Sequence, residues 1–145
     1  MFNKLFKKNN KNKEDSHNIL VAALLIHAAK IDENYTDNEK KIIKKALISL
    51  NNIEENEAKE ILNKAERKEQ ESNQIVEFTK EIKKKPIDFR LKIVEILWKI
   101  IYSDGKSDSY ESNLIRRVCG LLYVSDKDSG IIKLRVKNIN ELKGD

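Results

Sequence analysis

Apolar residues recur along most of this chain at the three- and four-residue spacing that is typical of amphipathic helices. The pattern predicts seven helices, which begin near Ser16, Thr36, Glu54, Gln74, Pro86, Asp108 and Ser125. Residues 19–29 are apolar almost all round, so we expect the first helix to be central. Four glycines and one proline are too few for the turns of a β-rich fold. The sequence therefore predicts an all-α protein, a compact bundle of about seven short helices.

Two segments of the chain share one pattern of apolar and acidic positions. When residues 21–50 are set against residues 93–122, Asp32 falls on Asp104 and Glu39 on Glu111, in both cases 72 residues apart. Each segment contains an apolar helix, an aspartate at its end, a short loop, and a second helix with glutamate in its first turn. We therefore predict two pseudo-repeated helix–acidic loop–helix units.

The acids of these loops have two interpretations. Thr36-x-x-Glu39 and Asp108-x-x-Glu111 fit a capping box, in which each side chain satisfies a free N–H group at a helix start. Alternatively the carboxylates bind a divalent cation of unknown identity, since hard cations prefer several oxygen ligands. The glycine position and the early glutamate exclude an EF-hand loop. The candidate metal ligands are Asp32, Glu39, Asp104, Asp108 and Glu111.

The net charge of +5 is concentrated at the N-terminus. Residues 1–13 carry five lysines and no acid, and without them 24 basic residues stand against 24 acidic ones. We predict a basic flexible tail over residues 1–15, a single helical domain over residues 16–140, and a C-terminal tail over residues 141–145. The N-terminal tail either only increases solubility or makes weak contact with an anionic membrane. The residues for that contact are Phe2, Lys4, Leu5, Phe6, Lys7 and Lys8.

Other chemistry is not indicated by the sequence. No phosphate-binding glycine loop, nucleophile elbow or Cys/His dyad is present, so we predict that the protein is not an enzyme. We predict no specific nucleic-acid binding, because the domain itself has no net charge.

The lone cysteine, Cys119, suits a reducing compartment, and the longest apolar stretch, residues 19–26, is too short to span a membrane. With no signal-peptide segment at the N-terminus, we expect a cytoplasmic location, which the basic tail could make membrane-peripheral. His27, Trp98 and Cys119 fit structural roles better than ligand or nucleophile roles.

Residues 97–126, LWKIIYSDGKSDSYESNLIRRVCGLLYVSD, resemble the C-terminal half of the TerB-like, tellurite-resistance proteins. Residues 24–47, LLIHAAKIDENYTDNEKKIIKKAL, resemble an earlier part of the same family, and the likeness extends over roughly residues 16–137. Its most specific element is S-D-G-x-x-D-x-x-E at positions 103–111. In two places the chain departs from the family pattern: Glu33 replaces a loop glycine, and Thr36 replaces the acid that corresponds to Asp108.

The resemblance implies a fold of about seven helices, bacterial origin, a cytoplasmic location and a role in stress response or tellurite tolerance. It also implies a metal site at the five acids named above. We therefore expect a non-catalytic helical module that binds a divalent cation or a protein partner through its acidic loops. The alternative is a peripheral adapter whose basic N-terminal tail docks to an anionic membrane or to nucleic acid.

Overall fold

Helix-favouring residues and the scarcity of glycine and proline give this chain a helical backbone nearly throughout. A computed structural model describes the backbone of residues 2–32, 35–72, 74–104 and 109–143, and the side chains of residues 16–31, 35–72, 74–103 and 113–139. Within these ranges there are seven α-helices and no strand. The helices are α1 (Phe2–Ala29), α2 (Asp37–Asn51), α3 (Glu55–Glu71), α4 (Ile75–Thr79), α5 (Ile87–Ile101), α6 (Ser109–Leu122) and α7 (Asp126–Lys143). The predicted all-α class and the predicted number of helices are confirmed.

Helices α1 and α5 form the centre of the bundle. Residues 21–26 of α1 are at most 1% exposed, and α1 packs against α2, α3, α4 and α5. Ile93, Val94 and Leu97 of α5 are fully buried, and α5 also packs against α2, α6 and α7. The prediction of a central first helix is therefore confirmed. Since these two helices precede the acidic loops, both loops are attached to the most buried elements of the fold.

Helix α1 begins at Phe2, so the prediction that it starts near Ser16 is wrong. Residues 2–15 contain no glycine or proline and several lysines, which favour continued helix over a break. The division of the chain into tails at 1–15 and 141–145 around a domain at 16–140 stays a prediction. Over the part of the chain that the structure describes, no helix has the length and apolar character needed to cross a membrane.

The fourth predicted helix, residues 74–84, is interrupted. Helix α4 ends at Thr79, and a 3₁₀ turn follows at Ile82–Lys84. The Thr79 hydroxyl donates to the Ile75 carbonyl at 3.0 Å, an interaction that competes with regular helix. Pro86 disfavours helical backbone in the residue before it, and Lys85 is extended at φ −74° and ψ 159°. The prediction of one continuous helix over residues 74–84 is therefore wrong.

The helix starts at Thr36 and Ser125 agree with the sequence prediction. Ser125 Oγ accepts a hydrogen bond from the Asp128 backbone N–H at 3.1 Å, so it caps α7. Pro86 is the N-cap residue of α5 and lies just before the first helical turn in which it was expected. Asp108, the expected start of the sixth helix, lies outside the described residues.

Candidate metal centre at the two acidic bends

Each apolar central helix is followed by a 3₁₀ turn that ends at an aspartate. Lys30–Asp32 follows α1, and Tyr102–Asp104 follows α5. We call residues 30–39 the first bend and residues 102–111 the second bend. Both bends lead into another helix, α2 or α6, and each of these helices has a glutamate of the candidate set within its first turn. The element order agrees with the predicted units, and their relation as a pseudo-repeat stays a prediction.

The first bend contains the capping box that the sequence allowed. Thr36 Oγ1 accepts from the Glu39 backbone N–H at 3.1 Å, while Glu39 Oε1 accepts from the Thr36 backbone N–H at 3.0 Å. The Thr36 hydroxyl also donates to Glu39 Oε1 at 3.0 Å. Glu39 is only 6% exposed. Its carboxylate therefore stabilises the start of α2, as the capping interpretation predicted.

Two carboxylates of α3 hold the first bend against the bundle. Glu69, which is 6% exposed, accepts from Lys30 Nζ at 2.8 Å and lies 3.3 Å from His27 Nδ1. Glu66 Oε1 accepts from the Tyr35 hydroxyl at 3.0 Å. Lys40 Nζ lies 4.9 Å from the centre of the Tyr35 ring and 3.9 Å from Glu66 Oε1. We call these six residues, His27, Lys30, Tyr35, Lys40, Glu66 and Glu69, the bend network.

The bend network fixes the protonation state of Tyr35. Burial raises the pKa of the Tyr35 hydroxyl, and the neighbouring Glu66 carboxylate raises this pKa further. Glu39 and Glu69 act in the same direction at longer range. Tyr35 therefore remains a hydrogen-bond donor at all ordinary pH values, and it ties the bend to α3.

The roles of Glu66 and Glu69 in the bend network are not among the predictions from the sequence. Glu69 continues the four-residue spacing of Ala58, Ile61, Leu62 and Ala65, the buried side of α3. An acid at such a buried position needs a partner, and this was the signal that could have identified it. Its partners lie on α1, and so they are not evident from spacing along α3.

The predicted metal ligands can be located only in part. The side chain of Glu39 is described; for Asp32, Asp104 and Glu111 the backbone alone is, and Asp108 lies outside the described residues. Among the side chains that the structure describes, no three His, Cys, Asp or Glu residues are grouped as a metal site. The five-acid site therefore stays a prediction.

Residues of both bends line one open groove, with a volume of about 780 Å³, between α2, α5 and α7. Asn38, which precedes Glu39, lies on its α2 side. Tyr102 and Ser103, which precede Asp104, also line it. The two bends therefore have one neighbouring surface in common.

Three residues to which the sequence assigned structural roles are part of the packing. Trp98 is 4% exposed and its Nε1–H donates to Ser129 Oγ at 3.2 Å. Cys119 is 1% exposed, and burial raises the pKa of its thiol, which disfavours the nucleophilic thiolate. His27 is half-buried between Glu69 and the Phe78 ring, 6.2 Å from the latter by ring centres. The structural interpretation of these residues agrees with their positions.

Comparison with known proteins identifies one family. A family model described as tellurite resistance protein TerB matches residues 18–134. Comparison with curated proteins and comparison with solved structures gave no match. The matched region includes both bends and the groove between α2, α5 and α7, except for the C-terminal part of α7.

Proposed function

This chain belongs to the tellurite resistance protein TerB family, and from that premise we propose that it is a non-catalytic helical module that binds a divalent cation, or a protein partner, through its two acidic bends. We further propose a stress- or tellurite-related role in the bacterial cytoplasm, which fits the family and the lone buried Cys119. The proposed ligands are Asp32, Glu39, Asp104, Asp108 and Glu111.

The observation that carries this proposal is the repeated position of acids at two helix starts. Asp32 and Asp104 are each the last residue of a 3₁₀ turn, and Glu39 and Glu111 each lie in the first turn of the following helix. Carboxylates are favoured at helix N-termini, where free N–H groups point outward. Several carboxylates in one bend repel each other, and a bound cation relieves this repulsion. The Glu39 carboxylate also caps α2, because its Oε1 accepts from the Thr36 backbone N–H and hydroxyl.

Isothermal titration calorimetry with calcium, manganese and zinc tests the metal proposal. The wild type should bind at least one of these ions, and the double variant Asp104→Asn/Glu111→Gln should lose that binding. A matched control, Asp88→Asn/Asp126→Asn, removes two exposed acids from the first turns of α5 and α7. Equal binding by the wild type and the Asp104/Glu111 variant would exclude this site, and loss of binding in the control would show only a general charge effect.

Thermal unfolding provides a second measurement that does not depend on heats of binding. A ligand that binds only the folded state at a hundred times its Kd stabilises that state by about 2.7 kcal/mol. The active ion should therefore raise the Tm of the wild type, and a chelator should reverse the increase. The Asp104→Asn/Glu111→Gln variant should show no such change.

The second candidate function is a peripheral adapter, and the start of α1 at Phe2 favours it. Phe2, Leu5 and Phe6 have the helical spacing that places residues on one face, and five lysines lie within residues 1–13. Deletion of residues 1–13 should abolish salt-sensitive binding to anionic liposomes, or to DNA if nucleic acid is the target. Unchanged binding by the truncated chain would exclude this function.

A further inference from the structure

The groove between α2, α5 and α7 has an apolar floor that is partly open to solvent. Its volume is about 780 Å³. Three helices contribute the floor residues, which are Ile42, Ala46, Leu50, Ile96, Val136 and Ile139. From Ile42 to Leu50 the floor extends over two turns of α2, a length of about 12 Å. Ile139 is 42% exposed, so this apolar surface is not fully covered by the bundle.

The rim of this groove is positively charged. Lys45, Lys92 and Lys99 line it, and Glu95 is the one acid among its lining residues in the described part of the chain. Glu95 already lies 3.8 Å from Lys99 Nζ and 3.9 Å from an Arg135 guanidinium nitrogen. Lys45 and Lys92 are exposed and form no ion pair with any side chain that the structure describes. We call this surface the basic groove.

We propose that the basic groove binds an amphipathic helix of another protein, whose apolar face is flanked by glutamate or aspartate residues. An apolar face with anchors at i, i+4 and i+7 covers about 10 Å, which matches the length of the floor. The flanking carboxylates of such a helix would pair with Lys45 and Lys92, which have no ion-pair partner among the described side chains. The chain's own N-terminal segment is an unsuitable occupant, because residues 1–13 carry only positive charge.

This inference goes beyond the proposed function and does not depend on it. The acidic bends would attract a cation, whereas the basic groove would attract a carboxylate. Asn38 and Ser103 belong to the bends and also line the groove, yet neither residue is charged and neither belongs to the proposed ligand set. A variant at Lys45 or Lys92 therefore tests the groove without removing an acid of the bends.

Fluorescence anisotropy with a designed peptide tests the proposal on the full chain. The probe is a labelled helical peptide of about 18 residues, with leucine at i, i+4 and i+7 and glutamate at the flanking positions. A second peptide has the same leucines and lysine in place of every glutamate. The wild type should bind the acidic peptide, and it should bind the basic peptide at least about tenfold more weakly.

Matched variants assign the binding to the groove. Lys45→Glu/Lys92→Glu should weaken binding of the acidic peptide about tenfold or more, whereas Lys59→Glu/Lys127→Glu, at two exposed lysines outside the groove, should change it by less than about twofold. Ile139→Glu should likewise weaken binding, whereas Ile131→Glu should not, since Ile131 is 55% exposed on the same helix but does not line the groove.

Three results would overturn the proposal. The first is equal binding of the acidic and basic peptides, or binding of neither. The second is unchanged binding by the Lys45/Lys92 variant. The third is that phosphatidylglycerol liposomes bind with the same dependence on Lys45 and Lys92 while the acidic peptide does not, which would assign the surface to a membrane.

Discussion

The bend network and the basic groove both place charged side chains beside the apolar core, but they differ in how completely those charges are paired within the fold. In the bend network, Glu69 accepts from Lys30 at 2.8 Å and lies 3.3 Å from His27. In the basic groove, Lys45 and Lys92 have no ion-pair partner among the described side chains. The two regions therefore differ in whether their charged side chains form ion pairs that stabilise the fold.

Burial explains this difference. Glu69 is 6% exposed, and a carboxylate removed from water needs a cation or hydrogen-bond donors. Lys45 and Lys92 remain exposed, so water solvates their ammonium groups and the fold has no need to pair them. Substitutions in the bend network should consequently change the stability of the protein, whereas substitutions in the groove should change binding and leave stability nearly unchanged.

The largest effect should come from Glu69→Gln. The amide keeps the size of the side chain but removes the charge that pairs with Lys30, and the free energy of unfolding should fall by about 2 kcal/mol. The effect is smaller than for a fully buried pair because the Lys30 side chain is 33% exposed. Urea unfolding measures it, with Glu71→Gln, an exposed site on the same helix, as the control. Equal stability of the two variants would contradict a structural role for the network.

Tyr35→Phe should lower the free energy of unfolding by about 1.5 kcal/mol at pH 7, since Glu66 loses a hydrogen-bond donor. Burial and the Glu66 carboxylate raise the pKa of Tyr35 in the folded state above its ordinary value of 10.0. The unfolded chain therefore releases this proton first as the pH rises past about 10, and the wild type loses stability there. The advantage of the wild type over Tyr35→Phe should shrink in that range.

Urea unfolding at a series of pH values checks this prediction. Tyr123→Phe is the matched control, because it removes a phenol hydroxyl from a side chain that is 70% exposed. A difference between wild type and Tyr35→Phe that grows above pH 10 would have the wrong sign and would exclude the proposed environment of Tyr35.

Thr36→Ala should cost about 1 kcal/mol, since it leaves the Glu39 backbone N–H without the acceptor that caps α2. Thr36→Ser retains the hydroxyl and should retain most of the stability. Thermal or urea unfolding of the pair gives the comparison. If both variants lose the same amount, the methyl group of Thr36 matters rather than its hydroxyl, and the capping interpretation of the first bend fails.

Local patterns predicted the parts of this molecule that depend on neighbours in sequence. The capping box at Thr36 and Glu39 needs residues only three positions apart, and it is present as expected. The apolar run at 19–29 predicted a central helix, because only a helix at the centre of the bundle has all of its sides buried. Seven helices were predicted and seven are present in the described part of the chain.

The sequence was less informative wherever distant residues decide the outcome. Glu69 meets His27 and Lys30 because α3 packs on α1, and no spacing along either helix specifies that contact. The groove likewise depends on the relative placement of α2, α5 and α7, and no segment of sequence shows it. The start of α1 at Phe2 is not evident from the sequence, because a basic, asparagine-rich composition is also typical of a flexible tail.

The smallest effect, and the sharpest contrast, should come from making one substitution in both regions. Lys30→Gln removes the partner of a buried carboxylate and should cost about 1 kcal/mol, whereas Lys92→Gln should change the free energy of unfolding by less than about 0.5 kcal/mol. At low salt Lys92→Gln should even be slightly stabilising, because it reduces repulsion along the rim, and high salt should remove that gain. Urea unfolding at two salt concentrations measures both the loss of stability in Lys30→Gln and the salt-dependent gain in Lys92→Gln. A loss above about 1 kcal/mol for Lys92→Gln would show that the fold itself uses this charge, and Lys92 would then not be available to a partner's carboxylate.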